Sequence, residues 1–242
     1  LRKLVYADYT ASGRSLRFIE DFLRDQVMPL YANTHTESSA TGLQTTRFRE
    51  EARATIAEAV GANESDAVIF VGSGATGAIN RLVELLDLKG PERPEAERPV
   101  VFIGPYEHHS NILPWDHSVA DLEIVALDED GKLDLADLEG LLVRYADRPL
   151  KIGSFSAGSN VTGVATDTYG VAALLHRHGA LSFWDFAGAG PYVDIEMNPD
   201  RPGLDPELVR KDAIFISPHK FIGGPGTPGI LVVKRAIVEG HT

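Results

Sequence analysis

The chain has 242 residues, 43% of them hydrophobic and 24% charged, which is the composition of an ordinary globular protein. A formal net charge of −12 argues against nucleic acid and anionic membrane as partners, and the absence of cysteine excludes disulfides, thiolate metal sites and a cysteine nucleophile. We see neither a signal peptide nor an apolar run near the roughly 18 residues of a membrane span, so we expect a cytoplasmic protein. Because the first residue is Leu1 rather than Met, we expect part of a longer protein.

The first 60 residues predict two helices joined by a polar loop. Apolar residues recur at helical spacing in Ser15–Met28 and again in Arg47–Val60. The segment Tyr31–Thr45 between them is rich in Thr and Ser and is long for a loop in a compact domain, which favours a functional role.

From Ala67 onward, apolar strands alternate with helices. The predicted helices are Thr76–Leu86, Leu135–Tyr145 and Thr166–His178, and the predicted strands are Ala67–Val71, Val100–Ile103, Glu123–Leu127, Leu150–Phe155, Ala180–Asp185, Ala213–Ile216 and Ile230–Val233. This pattern predicts a three-layer α/β/α fold with a mostly parallel, seven-stranded sheet. Only a Gly/Pro-rich turn precedes the last strand, which is too short for a helical crossover, so we expect that strand to be antiparallel.

Lys220 follows the buried strand Ala213–Ile216, directly after Ser217, Pro218 and His219. Partial burial lowers the pKa of a lysine and makes its amine available to carbonyl groups. Lysines of this kind form Schiff bases with pyridoxal phosphate, although most loop lysines are simply solvated.

Four other strand ends carry residues that suit the same chemistry. Gly72–Thr76 leads into a helix whose N-terminus could bind phosphate. A histidine after the second strand could stack on a ring, Asn160 could anchor a polar group, and Asp185 could pair with a protonated ring nitrogen. Each of these signals alone is weak. A turn without a ligand, a hydrogen-bonded histidine and a turn-forming asparagine are favoured for the first three, and a capping or salt-bridged Asp185 explains the fourth equally well. Ligands bind beyond the carboxyl ends of parallel strands, so together they predict one pyridoxal phosphate site.

Several motifs give the chain a resemblance to a known family. These are Gly72–Asn80, EHHSNILPW at Glu107–Trp115, SNVTG at Ser159–Gly163, WDFA at Trp184–Ala187 and SPHK at Ser217–Lys220. Over nearly its whole length the chain resembles the large domain of fold-type-I pyridoxal phosphate enzymes of the class V aminotransferase family. Within that family, the cysteine desulfurase and selenocysteine lyase branch is the most similar.

The resemblance implies a role for each matching residue. Lys220 would bind the cofactor covalently, Asp185 would pair with its ring nitrogen, and His108 would stack on the ring and assist proton transfer. Asn160 would lie near the ring hydroxyl and the substrate carboxylate. The phosphate would be bound by the helix start and by the turn before the lysine, namely Gly74, Ala75, Thr76, Ser217 and His219. Asn33 and His35 resemble a segment that lines the substrate entrance.

The resemblance also implies a larger assembly. We expect residues 1–242 to form the cofactor-binding large domain, with N-terminal helices and loop in 1–60 and an α/β core in 61–242. A C-terminal small domain, a substrate-binding arginine and a persulfide-forming cysteine would lie beyond Thr242, and the protein would be a homodimer. Gly188 departs from the branch pattern, since desulfurases usually have a glutamine there.

The sequence therefore predicts a pyridoxal phosphate enzyme that acts on a small amino-acid substrate, with desulfuration or selenide elimination as the first choice. Transamination, racemisation or another lyase reaction is the alternative. A catalytically silent relative that keeps the fold for assembly is a second alternative, although Lys220 and Asp185 are both present. A nucleotide-binding Rossmann domain is disfavoured because the Gly-x-Gly-x-x-Gly fingerprint is absent after the first strands.

Overall fold

A seven-stranded sheet runs through the centre of the computed structural model, which describes residues 2–34 and 38–239. The strands are β1 (Asp66–Val71), β2 (Val100–Ile103), β3 (Asp121–Ile124), β4 (Lys151–Ser156), β5 (Leu181–Asp185), β6 (Ala213–Ile216) and β7 (Gly229–Lys234). Their spatial order is β1-β7-β6-β5-β4-β2-β3. Strand β7 is antiparallel to both of its neighbours, and the other pairings are parallel. The predicted sheet and its reversed last strand are confirmed.

Helices cover both faces of this sheet. Within the described ranges they are α1 (Arg17–Phe22), α2 (Ala40–Ala59), α3 (Gly74–Leu85), α4 (Leu113–Asp116), α5 (Leu135–Arg144), α6 (Thr168–Arg177), α7 (Pro206–Val209) and α8 (Arg235–Val238). One apolar core lies between the sheet and α2, α5 and α6, and a second lies between the opposite face and α3, α4 and α8. Neighbouring strand residues such as Val101 and Phe102 point into different cores, as the pleat of a strand requires. This arrangement confirms the three-layer prediction.

Three predicted elements differ from the observed ones by three residues or more at one end. Helix α2 begins at Ala40 rather than Arg47, because the Ser39 side chain caps it by accepting a hydrogen bond from the Gly42 N–H (3.1 Å). The predicted helix Ser15–Met28 is α-helical only in α1, after which the turns widen over Leu23–Val27 and tighten over Met28–Leu30.

Strand β3 ends at Ile124 instead of Leu127, because the chain turns away from the sheet to form a bridge between Leu127 and Leu133. Among the residues that the structure describes, no helix is both long enough and apolar enough to cross a membrane.

Candidate functional site

A cavity of about 640 Å³ opens where the parallel strands end at their carboxyl termini. Strands β4, β5 and β6 and the helix that follows β1 each bring polar side chains to this edge, as parallel topology dictates. Nine residues predicted for the cofactor site line this one cavity: Gly74, Ala75, Thr76, His108, Asn160, Asp185, Ser217, His219 and Lys220.

The N-terminus of α3 forms one wall of the cavity together with the turn after β6. The Ala75 N–H donates a hydrogen bond to Ser217 Oγ over 2.8 Å, and both residues are buried. Gly74 has a φ of +55°, and a Cβ there would lie 2.7 Å from Ser217 Oγ and 2.9 Å from His219 Cε1. Only glycine permits this close approach. The partial positive charge at the N-terminus of α3 makes the wall suitable for an anion such as phosphate.

Asp185 is the buried acid of the cavity. Its carboxylate is at the end of β5, the residue is 3% exposed, and Oδ1 accepts a hydrogen bond from the Ala187 N–H (2.8 Å). Burial raises the pKa of Asp185 to about 6, and the Ala187 hydrogen bond and the Lys220 charge oppose that rise. A carboxylate held away from water in this way favours a bound cation as its partner.

Lys220 lies in a single helical turn, Pro218–Lys220, directly after β6. The Lys220 N–H donates to the Ser217 carbonyl oxygen (3.0 Å), and the side chain is half-buried at the cavity. Burial lowers the pKa of both His108 and His219, and the nearby Lys220 charge lowers each further. The His108 ring is held by a hydrogen bond between its Nδ1 and Ser110 Oγ (2.8 Å). Both imidazole rings, which lie near Lys220, therefore favour the neutral form.

The N-terminal segment supplies a further wall that the sequence reasoning missed. Asp8, Thr10 and Ala11 line the cavity. Two backbone hydrogen bonds join the segment to the lysine turn. The Gly13 N–H donates to the His219 carbonyl oxygen (2.8 Å), and the Gly223 N–H donates to the Arg14 carbonyl oxygen (2.7 Å). No periodic pattern marks this contact in the sequence, and the run of small residues around Gly13 is the one available signal.

Of the two predicted substrate-entrance residues, only Asn33 lies within the part of the chain that the structure describes. Asn33 is exposed and is not among the residues that line the cavity, while His35 lies outside the described residues. Gly188, where the sequence departs from the expected glutamine, does line the cavity beside Asn160. Within residues 2–34 and 38–239, no group of three or more His, Cys, Asp or Glu side chains is placed to hold a metal ion.

The chain is similar to a known protein family and to curated proteins. The family described as "Aminotransferase class-V" matches residues 5–241. A "Probable cysteine desulfurase" of Streptomyces coelicolor is 28% identical over 242 residues, covering 98% of this chain and 54% of the relative. Another protein with that name, from Halalkalibacterium halodurans, is 29% identical over 240 residues, again covering 98% of this chain and 54% of the relative. The chain thus spans about half the length of these curated relatives.

Solved structures show the same fold. The match to the NifS-like protein from Rickettsia africae covers 97% of this chain and 59% of the Rickettsia chain, with a TM-score of 0.77 and 20% sequence identity. This likeness, which covers 97% of the chain, shows that the two proteins share a fold.

Proposed function

Because the chain belongs to the class V aminotransferase family, we propose that it binds pyridoxal 5'-phosphate and acts on a small amino-acid substrate. The observation that carries this proposal is the meeting of Lys220 and Asp185 in one cavity with the N-terminus of α3. Amine, buried carboxylate and anion-binding helix end match the aldehyde, the ring nitrogen and the phosphate of that cofactor.

The residues fit this group one by one. Gly74, Ala75 and Thr76 would hold the phosphate at the start of α3, with Ser217 and His219 beside them. Asp185 would hold a proton on the ring nitrogen, His108 would lie against the ring, and Asn160 would contact its hydroxyl. A Cβ at position 74 would fill the space between the helix start and Ser217, so the glycine keeps the phosphate cradle open.

When bound, pyridoxal phosphate supplies an electron-accepting ring that stabilises negative charge at the substrate α-carbon. This chain's residues would direct that chemistry. Lys220 would bind the cofactor, release it to the substrate amine and then move a proton at the substrate. Asp185 would remain ionised because the protonated nitrogen offsets the cost of burying its charge. A neutral His108 would accept or return a proton next to Lys220.

We propose cysteine desulfurase-like or selenocysteine lyase-like chemistry as the reaction, since the curated relatives are named probable cysteine desulfurases. One observation favours another class V reaction, such as transamination or racemisation. Gly188 brings no side chain to the Asn160 side of the cavity, where a desulfurase usually has a glutamine. Product analysis with cysteine, selenocysteine and a panel of amino donors distinguishes these reactions.

We also propose that the protein works as a homodimer in the cytoplasm. The N-terminal segment exposes eight large apolar side chains within about 30 residues, which favours coverage by another surface. These are Leu4, Val5, Phe18, Phe22, Leu23, Met28, Leu30 and Tyr31. Analytical ultracentrifugation tests the proposal, and a monomer at micromolar concentration would contradict it.

The cofactor proposal is tested by borohydride reduction after addition of pyridoxal 5'-phosphate. We expect a covalent adduct on Lys220, located by peptide mapping, and none on the buried Lys211 or the exposed Lys132. Lys220→Ala is expected to abolish the adduct while leaving far-ultraviolet circular dichroism unchanged. An adduct mainly on another lysine, or none at all, would remove the proposal.

A further inference from the structure

Glu107 is a partly buried acid directly behind the cavity wall, and the proposed function gives it no role. It precedes His108 in the turn after β2, and it is not among the described residues that line the cavity. Its two oxygens accept three hydrogen bonds. Oε1 accepts from the Ser156 N–H (2.8 Å), while Oε2 accepts from Ser156 Oγ (2.7 Å) and from Asn111 Nδ2 (2.7 Å).

The direction of these hydrogen bonds is fixed by the surroundings. The Asn111 side chain is fully buried, and its Oδ1 accepts from Trp115 Nε1 (3.1 Å) and Ser154 Oγ (2.6 Å). Its Nδ2 also donates to the Ser154 carbonyl (3.1 Å), so the amide cannot reverse without losing these partners. Asn111 therefore donates its side-chain N–H to Glu107. The Ser156 backbone N–H can only donate, so both carboxyl oxygens of Glu107 are needed as acceptors.

The anchored residues belong to the cavity itself. Ser156 ends β4, lines the cavity and is the register partner of Asp185 on β5. Glu107 therefore joins the turn that carries His108 to the strand that flanks Asp185. The fit is close, since a Cβ at Gly104 would lie 2.5 Å from Glu107 Oε1.

We propose that Glu107 is a positioning residue of the cofactor site, whose carboxylate fixes the His108 turn to the end of β4 beside Asp185. This inference rests on the proposed function. The charge of Asp185 acts on Glu107 from β5, and the pKa of Glu107 is raised to about 7, first by burial, with the Asp185 charge adding to it. The other groups that contact the Glu107 carboxylate, on Ser156 and Asn111, are uncharged.

Glu107→Gln tests the anchor because its amide offers one oxygen where two acceptors are needed. The nitrogen of the glutamine would face Asn111 Nδ2 or the Ser156 N–H, placing two donors against each other. Glu129→Gln is the matched control, because Glu129 is exposed in the turn before α5. Two quantities are measured on the full chain, the Kd for pyridoxal 5'-phosphate and the visible circular dichroism of the bound cofactor.

We expect Glu107→Gln to raise the Kd about tenfold and to change the dichroism per bound cofactor, with Glu129→Gln matching wild type. A lower melting temperature with unchanged dichroism per bound cofactor would mean that Glu107 only stabilises the fold, and it would contradict the positioning role. If Glu107→Gln does not fold, Ser156→Ala removes one of the three donors and should shift both quantities in the same direction by less.

Wild-type Kd and dichroism in Glu107→Gln would overturn this inference alone. Failure of the wild-type chain to bind pyridoxal 5'-phosphate would instead overturn the proposed function together with it.

Discussion

Asp185 and Glu107 have raised pKa values because burial keeps water from both carboxyl groups. As the pH rises, the folded chain therefore keeps protons on these two groups after the unfolded chain has released them. The folded-state pKa of Asp185 is about 6 against a usual 3.8, so its contribution to stability is complete below pH 4 and is lost as pH rises through about 6. With an empty cavity, the folded chain therefore loses this contribution to its stability above about pH 6.

Asp185→Asn should therefore stabilise the cofactor-free chain at pH 8, by up to about 3 kcal/mol, because the buried charge is removed. The gain should disappear near pH 4, where wild-type Asp185 is protonated as well. Urea unfolding at the two pH values measures this difference. An equal effect at both pH values would mean that the substitution acts through packing rather than through charge.

The same substitution should lower the pKa of Glu107, because the neighbouring negative charge that raises it is gone. Carbon-13 NMR of the glutamate carboxyl, followed against pH, measures the shift. An unchanged Glu107 titration in Asp185→Asn would show that the two acids do not interact.

Strand-end reasoning from the sequence predicted Lys220, Asp185 and Asn160, because parallel topology alone brings such residues to one edge. It could not predict the role of Glu107, whose partners Ser156 and Asn111 become neighbours only after β2 and β4 pair. For the three strand-end residues, the residue type and its place after a strand were enough to predict the chemistry. For Glu107, the tertiary contacts were needed.

At the scale of elements, the contact between the N-terminal segment and the lysine turn depends on Gly13. A Cβ there would lie 1.8 Å from the Phe221 carbonyl oxygen and 3.2 Å from that of His219. Backbone on both sides leaves no flexible group to give way, so one of the two segments must move. The start of α2 was predicted too late for a different reason, because the Ser39 cap starts the helix before apolar residues recur at helical spacing.

Gly13→Ala should therefore displace the turn that carries Lys220, destabilise the chain by about 1–3 kcal/mol and reduce borohydride trapping at Lys220 several-fold. Gly140→Ala is the control, because Gly140 is exposed on α5 with no atom within 4 Å of the added Cβ, and alanine favours helix. Chemical denaturation and peptide mapping give both quantities. Wild-type trapping in Gly13→Ala would show that the segment packs on the turn without positioning it.

At the scale of the whole molecule, the chain has the proposed cofactor site but no thiol. A reaction that passes sulfur from cysteine to a thiol of the protein, forming a persulfide, has no acceptor thiol in a chain without cysteine. We expect the 242-residue chain to be trapped at Lys220 by borohydride, yet to form no persulfide and to release little sulfide from cysteine. Mass spectrometry and a sulfide assay check both points, and sulfide release at the rate of a longer relative would contradict this view.

The position of β7 has a consequence for synthesis on the ribosome. Of the seven strands in the sheet, β1 is made first, yet β7, which is hydrogen-bonded to it, is made after the other six. Until β7 emerges, the facing edges of β1 and β6 have no strand between them, and closing so long a separation in sequence is slow. Gly229 at the start of β7 also donates to the Gly72 carbonyl (2.7 Å) and fits closely against Gly74. The N-terminus of α3, which we propose as the phosphate site, therefore reaches its observed packing only after β7 has joined the sheet.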